Sequence, residues 1–391
     1  MAIMQTLALC MIVKDEEKWI GQCLESIHRV VDEMVIVDTG STDQTVEICQ
    51  SYGATVLSYS WNENFADARN YGLKYAKSDW ILWLDADEEV DQKDIFKLKE
   101  ALDTDEHILL IQLINYFGSY PPDPDQAFLL AHHRLFRNHM GFRFENAIHE
   151  KLNVSEVLGN IYEVTILPVQ VHHYGYTDPF VENKNKLERN LRMLEKEKQK
   201  EGYSPWVDYH IASEYYRAEK YTESFDYVNE SIRGFVRKKQ VPPSLIYKLK
   251  YAVLLLVGSH EGAWPGIEKV IEIYPDYVDL HFYKGVILFL REEYEEAIQV
   301  FNHCLELGEE HTIHLVLKGA GSFHPYYYIG RCQEKRGNIR EAIAAYRMAI
   351  KQSHHYEPAI QELQRLLSQE KVGVDHSVAV ASSEMEGRVS D

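Results

Sequence analysis

The sequence lacks paired cysteine motifs, a basic leader and any long hydrophobic run. Its five cysteines are widely spaced and include no Cys-x-x-Cys pair, so we expect free thiols in a reducing compartment rather than a disulfide framework or a zinc site. The apolar start at 1–13 has no basic segment and no small-residue cleavage site, and we interpret it as a β-strand rather than a signal peptide. Because no apolar stretch approaches the roughly 20 residues of a membrane span, we expect no membrane span and a cytoplasmic location.

Positive charge is also scarce. The chain has 41 Lys and Arg against 61 Asp and Glu, a formal net charge of −20 at pH 7. Nucleic acid is therefore excluded as the main partner, because phosphate binding needs a basic face, and a bare anionic membrane surface is disfavoured for the same reason. With 391 residues, 45% of them hydrophobic, the chain has an ordinary globular composition and enough length for two domains.

The N-terminal part alternates strand-like and helix-like patterns. Continuous apolar runs predict strands at 7–13, 34–37, 54–57, 80–84, 107–116 and 164–173. Helically spaced apolar residues predict helices at 16–30, after 41, and at 65–76. This alternation is typical of βαβ units with a mostly parallel sheet, and ligands bind at the carboxyl ends of such strands.

The C-terminal part contains an internal repeat. Gly285, Ala297 and Phe301 have the same spacing as Gly330, Ala342 and Tyr346, which matches the tetratricopeptide unit of about 34 residues. The two units are further apart than that length, so we expect an insertion at 311–322, and degenerate units are predicted at 209–232 and 247–275. We therefore predict a nucleotide-binding domain at 1–178, a helical linker at 179–203, repeats at 204–371 and a disordered tail at 372–391.

Two carboxylates follow the apolar run that ends at residue 84. Asp85 and Asp87 are separated by one residue, so in an extended chain both side chains point to the same side. A pair of carboxylates at a strand end is suited to Mg²⁺ or Mn²⁺, with substrate phosphates completing the coordination. The alternative is an ordinary strand end followed by an acidic loop.

Two further polar residues occupy comparable places. Asp38 ends the second predicted strand and is followed by Gly40, so its carboxylate is placed to accept hydrogen bonds from a base or ribose, although helix capping would also explain this segment. Arg69 lies in the first turns of the helix before the Asp85 strand and is suited to a base carbonyl or a phosphate. A solvated arginine is the alternative.

The segments LCMIVKDEE, VDTGSTDQT, FADARN and WILWLDADE, in this order over about residues 5–178, resemble family 2 glycosyltransferases of the GT-A fold. The resemblance implies an α/β Rossmann-like nucleotide-sugar domain with a mostly parallel sheet, followed here by an all-α tetratricopeptide-like helical repeat domain. It implies that Asp38 contacts the uracil of a UDP-sugar donor, that Arg69 contacts the nucleotide, and that Asp85 and Asp87 bind ribose and the metal.

Further segments resemble one branch of this family, which carries tetratricopeptide repeats and includes bacterial enzymes that glycosylate bacteriocin precursors on cysteine or serine. These segments are RLFRN, IHE, HYGY and RN, at 134–138, 148–150, 173–176 and 189–190. We assign Val13, Ala86 and Arg137 to the nucleotide site as well. For Arg134 and Arg137 the choice lies between holding the diphosphate and pairing with acidic neighbours.

The resemblance implies an inverting enzyme, which needs one base to deprotonate the acceptor. We predict that Glu150 is this base, with His149 as the second choice and a surface carboxylate as the alternative for Glu150. Asp87 is predicted to bind the metal together with a histidine at the end of the last predicted strand. His173 fits better than His172, and because neighbouring strand residues face opposite ways only one of them should serve.

The acceptor is predicted from the repeats. Tetratricopeptide arrays form concave surfaces that bind extended peptides, and the 26 tyrosines suit such contacts, although a homodimer surface remains open. The leading hypothesis is transfer of a sugar, glucose being our choice, from a UDP-sugar to a Cys or Ser side chain of a peptide or protein. The alternatives are a polysaccharide or lipid-linked glycan as acceptor, and a non-enzymatic scaffold with a relic transferase domain.

Overall fold

The computed structural model describes residues 5–159, 162–177 and 184–369. The chain divides into two compact units, one comprising Met1–Val253 with Thr312–Leu315 and the other Leu254–His311 with Val316–Asp391. The predicted tail at 372–391 lies outside the described residues.

The first unit is built on a large, mixed β-sheet. The strands of this unit are β1 (Leu7–Val13), β2 (Glu33–Asp38), β3 (Thr55–Ser58), β4 (Trp80–Trp83), β5 (Glu88–Val90), β6 (Ile108–Gly118), β7 (Ala127–Arg137), β8 (Phe144–Glu145), β9 (Lys151–Leu152) and β10 (Thr165–Thr177). Strands β8 and β9 form a separate two-stranded sheet. The main sheet runs in the order β3-β2-β1-β4-β7-β6-β10-β5. Strands β3, β2, β1 and β4 are mutually parallel, as are β6 and β10, which confirms the predicted α/β class.

The helices of this unit follow the strands as the sequence predicts. They are α1 (Ile20–Ile27), α2 (Thr45–Ser51), α3 (Phe65–Leu73), α4 (Ile95–Glu100), α5 (Val154–Leu158), α6 (Lys184–Lys198), α7 (Trp206–Arg217) and α8 (Tyr221–Arg237). Strand β1 contributes to a core on each face of the sheet: Leu9 packs in the cluster that contains Leu24 of α1, and Cys10 packs in the cluster that contains Ala66 of α3. Burial on both faces is the reason that this strand is a continuous apolar run.

Strand β7 is the largest element that the sequence analysis missed. Its burial does not alternate, so the period-2 pattern of a half-buried strand is absent. The strand is antiparallel to both β4 and β6 and lies between them. Its insertion joins the parallel strands β1–β4 to the second half of the sheet, and it brings Arg134 next to β4.

The second unit is helical. Helix α9 (Ser244–Leu256) contains the boundary between the units, and it is followed by α10 (His260–Ala263), α11 (Gly266–Ile273), α12 (Val278–Leu290), α13 (Tyr294–Leu307), β11 (Val316–Leu317), α14 (Phe323–Lys335) and α15 (Ile339–Gln352). A methyl carbon added at Gly285 would lie 2.5 Å from Phe301, and one added at Gly330 would lie 2.5 Å from Tyr346. The two predicted repeat units therefore pack through the same glycine–aromatic contact. Among the described residues, no helix is both long and apolar enough to cross a membrane.

Candidate active site

The carboxyl ends of β1, β2 and β4 border one cavity of about 1030 Å³. Its walls come from the segment after β1, from Thr39 and Asp43 after β2, from Asp85–Asp87 after β4, and from the segment 148–150. The ends of parallel strands meet at one edge of a sheet, which is why segments far apart in the chain converge here. Other lining residues include Val13, Trp61, Phe65, Arg69, His173, Gly175, Tyr176, Arg189, Asn190, Glu214 and Arg217.

Arg69 joins two of the predicted site carboxylates. Its Nε donates to Glu150 Oε1 and its Nη2 donates to Asp85 Oδ1, each at 2.6 Å. The guanidinium is buried, lies 4.5 Å from the centre of the Trp83 ring, and leaves Nη1 without a hydrogen-bond partner. Charge-assisted hydrogen bonds of this length are strong and directional, so Arg69 fixes the relative positions of Asp85 and Glu150.

A second arginine, Arg134 on β7, lies beside Asp85 and the Trp83 ring. It donates to Glu88 and approaches Asp85 to 3.7 Å, and its guanidinium lies 3.7 Å from the centre of the Trp83 ring. Burial alone would raise the pKa of Asp85, but the positive charges of Arg69 and Arg134 lower it below its usual value. Burial raises the pKa of Glu88, which also accepts the Asp85 backbone N–H at 2.9 Å. Arg134 was predicted either to hold the diphosphate or to pair with acidic neighbours, and its contacts in the structure are with acidic neighbours.

Asp87 faces His173. The distance from His173 Nε2 to Asp87 Oδ1 is 3.6 Å, and His173 Nδ1 donates to Asn115 Oδ1 at 2.8 Å. Because the Asn115 Oδ1 can only accept, Nδ1 donates to it and Nε2 is the ring nitrogen that faces Asp87, and metal-binding histidines commonly have their other ring nitrogen held in this way. His172 lies instead near Tyr116 and Asp91, at 3.0 and 3.4 Å. The structure thus brings only His173, of the two candidates, to Asp87.

The donor set at this position suits a hard divalent ion only in part. Within the described ranges no group of three or more His, Cys, Asp or Glu side chains is arranged to hold a metal ion. Asp87 and His173 offer one carboxylate oxygen and one imidazole nitrogen. Mg²⁺ in proteins is commonly bound by one or two protein groups, with substrate phosphates and water filling the remaining positions. The residues present therefore fit an ion that arrives with a diphosphate.

His149 and Glu150 lie side by side but in different environments. His149 has a positive φ of 52° and stacks on His210 with ring centres 4.0 Å apart. Burial lowers the pKa of His149 to about 4, so the imidazole is neutral at pH 7. Its Nε2 is buried without a hydrogen-bond partner, 3.8 Å from Glu214. Glu150 lines the same cavity, and its carboxylate is held by Arg69.

Asp38 and Arg137 were both predicted to contact the nucleotide, but they lie at different places in the sheet. Asp38 is 8% exposed and accepts the backbone N–H groups of Gly40 and Ser41, at 3.2 and 3.0 Å. Asp38 ends β2 at the expected edge of the sheet, where the next residue, Thr39, lines the cavity but Asp38 itself does not. Arg137 pairs with Trp80 at the amino end of β4, and it donates to the carbonyl groups of Glu106 and Thr104. The structure therefore does not bring Arg137 to the cavity, because β7 runs antiparallel to β4.

Several cavity residues were given no role in the sequence analysis, although Asn190 belongs to the RN segment at 189–190 noted there. Helices α6 and α7 contribute Asn190, Glu214 and Arg217, which form a hydrogen-bonded group: Asn190 Nδ2 donates to Glu214 at 3.0 Å and Arg217 donates to it at 2.6 Å. After β1, burial and the charges of Asp87 and Asp85 raise the pKa of Glu16 to about 8. The run of acidic residues after β1 was a visible signal for Glu16, whereas the α7 residues had none.

Comparison with known proteins finds a family match in the N-terminal part of the chain and another near its C-terminal end. The family described as Glycosyl transferase family 2 matches residues 8–159, and the family described as Tetratricopeptide repeat matches residues 326–353. The first match contains every element that borders the cavity from β1 to α5, and the second covers most of α14 and α15.

Among relatives, a TPR repeat-containing protein of Synechococcus elongatus is 35% identical over 202 residues, which are 50% of this chain and 48% of that protein. The chain thus spans about half of that relative's length. The SPbeta prophage-derived glycosyltransferase SunS of Bacillus subtilis is 25% identical over 294 residues, 73% of this chain and 67% of that protein.

Among solved structures, S. aureus TarS 1–349 is 16% identical with a TM-score of 0.36, covering 63% of this chain and 86% of that chain. With so low an identity and TM-score, this structure adds nothing to the family matches. The chain therefore joins a family 2 glycosyltransferase domain, matched at residues 8–159, to a tetratricopeptide repeat matched at residues 326–353.

Proposed function

We propose that this protein is an inverting, metal-dependent glycosyltransferase that moves a sugar, glucose in our proposal, from a UDP-sugar to a Cys or Ser side chain of a peptide or protein. The observation that carries the proposal is the convergence of Arg69, Asp85, Asp87, Glu150 and His173 around one cavity in the family 2 domain. An arginine, two strand-end carboxylates, a candidate base and an imidazole then have separate roles in one reaction.

The donor is held on the side of the cavity formed by β1, β2 and β4. Asp85 is kept ionised by Arg69 and Arg134, so it can accept hydrogen bonds from the ribose hydroxyl groups. Val13 and Ala86 are buried at the ends of their segments and provide close, apolar contact for the nucleoside. Asp38 is proposed to contact the uracil. Arg69 lines the cavity and is proposed to contact the nucleotide.

Asp87 and His173 would hold the divalent ion, Mg²⁺ or Mn²⁺. When bound, that ion supplies neutralisation of the negative charge that develops on the diphosphate as the anomeric bond breaks. The chain's own contribution is orientation. Asn115 fixes the His173 ring, so that Nε2 faces Asp87, and the loss of any proton from Nε2 would leave it free to bind the ion.

Glu150 is proposed as the base that takes the proton from the acceptor. Its carboxylate lines the cavity and is fixed by Arg69 at 2.6 Å, which leaves its second oxygen to approach the acceptor. A cysteine thiol ionises more readily than a serine hydroxyl, so a thiol acceptor would need a weaker base than a hydroxyl acceptor. His149 is the second candidate, because it is neutral at pH 7 and its Nε2 has no partner.

The peptide acceptor is proposed from the second part of the chain and from the relatives. SunS, a glycosyltransferase, is similar over 73% of this chain, including part of the helical region. The glycine–aromatic contacts at Gly285 and Gly330 support stacked tetratricopeptide units, and such units bind extended peptides. All five cysteines of the chain are unpaired and buried, which supports the proposed cytoplasmic location.

A donor-by-acceptor screen read by mass spectrometry tests this proposal. The full chain would be given UDP-sugars with Mg²⁺ or Mn²⁺, together with Cys- and Ser-containing peptides. A hexose-sized mass gain on a peptide is expected. Donor hydrolysis without a peptide product would move the acceptor toward a glycan. No binding or turnover of any nucleotide sugar would overturn the proposal in favour of a scaffold.

Asp87 and Asp91 provide a matched pair of variants for this screen. Their side chains are 18% and 19% exposed, and each faces one of the adjacent histidines, His173 and His172. Asp87→Asn should abolish metal-dependent turnover, because it removes the carboxylate of the proposed ion site. Asp91→Asn removes an equally exposed carboxylate outside the cavity and should retain turnover. Equal activity of the two variants would contradict the metal assignment.

A further inference from the structure

Gly175 lies on β10, two positions after His173, and borders the cavity. A methyl carbon added at Gly175 would lie 2.3 Å from Asp87 Oδ2 and 2.7 Å from His173 Nε2. Both distances are far shorter than an ordinary van der Waals contact. The two atoms that a side chain would meet at Gly175 therefore belong to the two residues proposed to hold the divalent ion.

The φ of Gly175 does not itself require glycine. Ten glycines among the described residues have a positive φ, and Gly175 is not one of them. Strand β10 does change register between His173 and Tyr176, but the space beside Gly175 is a separate reason for glycine at this position.

The consequences for the fold and for the site differ. The three atoms nearest to an added methyl group belong to the side chains of Asp87 and His173, and the Asp87 carboxylate can rotate away at low cost to the fold. His173 has little freedom, because its Nδ1 is bound to Asn115, which is buried and donates in turn to the Phe128 carbonyl at 3.2 Å. The Asp87 carboxylate would have to rotate away, and the arrangement in which it faces His173 at 3.6 Å would be lost.

We propose that Gly175 is a positioning residue, whose lack of a side chain lets Asp87 and His173 direct their donor atoms to one divalent cation. The inference rests on the proposed function, since it concerns the ion that accompanies the UDP-sugar. It assigns to the third residue of the HYGY segment a role that acts through Asp87 and His173 rather than through contact with the substrate.

The test compares Gly175→Ala with Gly21→Ala in the full chain. A methyl carbon at Gly21, on α1, would lie 3.9 Å from Ile48, an ordinary contact. Calorimetry would measure binding of UDP with Mn²⁺, and binding of uridine, which has no phosphate and needs no ion. We expect Gly175→Ala to weaken Mn²⁺-dependent UDP binding by about 10–100-fold, with uridine affinity and melting temperature unchanged. Gly21→Ala should match the wild type in all three measurements.

A double-mutant cycle separates this role from a structural one. In an Asp87→Ala background the added methyl group has no carboxylate to displace and only the 2.7 Å approach to His173 remains, so Gly175→Ala should cause a smaller loss of UDP binding than it causes in the wild-type background. If Gly175→Ala alone is unstable, the double variant should be more stable than it, because the shortest contact has been removed. A double variant that is no more stable, or a loss of UDP binding as large as in the wild-type background, would overturn the inference.

The remaining outcomes separate this inference from the function on which it rests. Wild-type UDP affinity in Gly175→Ala, in a protein whose wild type binds UDP only with Mn²⁺, would overturn the role of Gly175 alone. A wild type that binds no UDP in the presence of Mn²⁺ or Mg²⁺ would overturn the proposed function and this inference together.

Discussion

The adjacent histidines of β10 allow the metal assignment to be tested with two variants, His173→Leu and His172→Leu, that should lose similar free energies of unfolding. Each substitution removes one imidazole and leaves one buried polar partner without it: Asn115 for His173 and Tyr116 for His172. Leaving such a group unpaired costs about 1–3 kcal/mol. Both variants should therefore lose a similar free energy of unfolding, and for a unit of this size each kcal/mol lowers the melting temperature by roughly 2–4 °C.

The effect on the ion should differ sharply between the two variants. His173 Nε2 lies 3.6 Å from Asp87, whereas His172 faces Asp91. Loss of a group that binds or orients the ion weakens metal affinity by about 10–100-fold, equivalent to about 1.4–2.8 kcal/mol. We expect that weakening in His173→Leu alone, measured as the Mn²⁺ concentration that gives half-maximal UDP binding.

Two results would refute this reasoning. Equal Mn²⁺ requirements in the two variants would mean that neither histidine binds the ion. A raised requirement in His172→Leu alone would mean that the ion binds on the opposite face of β10. A large difference between the melting temperatures of the two variants would show that the stability costs were not matched, and the comparison would then be repeated with glutamine at both positions.

Two further predictions concern buried charge. Arg69→Gln removes a buried guanidinium that pairs with two carboxylates, Asp85 and Glu150, and should lower both stability, by about 3–5 kcal/mol, and UDP affinity. Arg137→Gln removes a donor to backbone carbonyl groups at the other end of β4 and should leave UDP affinity intact. Weaker UDP binding in Arg137→Gln would place Arg137 at the nucleotide site after all. Burial lowers the pKa of His149 to about 4 from 6.5, so the unfolded chain binds more protons between these values and stability falls as the pH drops through this range. His149→Asn should remove about 2 kcal/mol of the stability difference between pH 7 and pH 5, and an unchanged difference in urea titrations would contradict this.

The sequence by itself determined the strands that carry the donor site. Strands β1, β2 and β4 are continuous apolar runs because both faces of the sheet are covered. Carboxylates at the ends of two of these strands, Asp38 and Asp85, therefore stood out against an apolar background. The repeat glycines were equally visible, because close helix packing requires the same small residue at the same spacing in each unit.

Tertiary structure alone decided which side chains meet. Arg69 contacts Glu150 across 81 positions, and no local pattern specifies a partner at that separation. The sequence favoured His173 over His172, but which of the two lies against Asp87 depended on the face of β10 that is turned toward it. Arg134 and Arg137 looked equivalent in the sequence until the antiparallel register of β7 against β4 placed them at opposite ends of that strand.

The extent of the first unit was likewise a tertiary result. The repeat-like spacing of α7 suggested that it belonged with the later helices, yet Glu214 and Arg217 border the cavity and the unit continues to Val253. Helical periodicity reports that one face of a helix is buried, but it does not report against which partner. The sequence therefore specified the local elements and the residue types of the chemistry, and the packing of elements distant in the chain selected the residues that form the site.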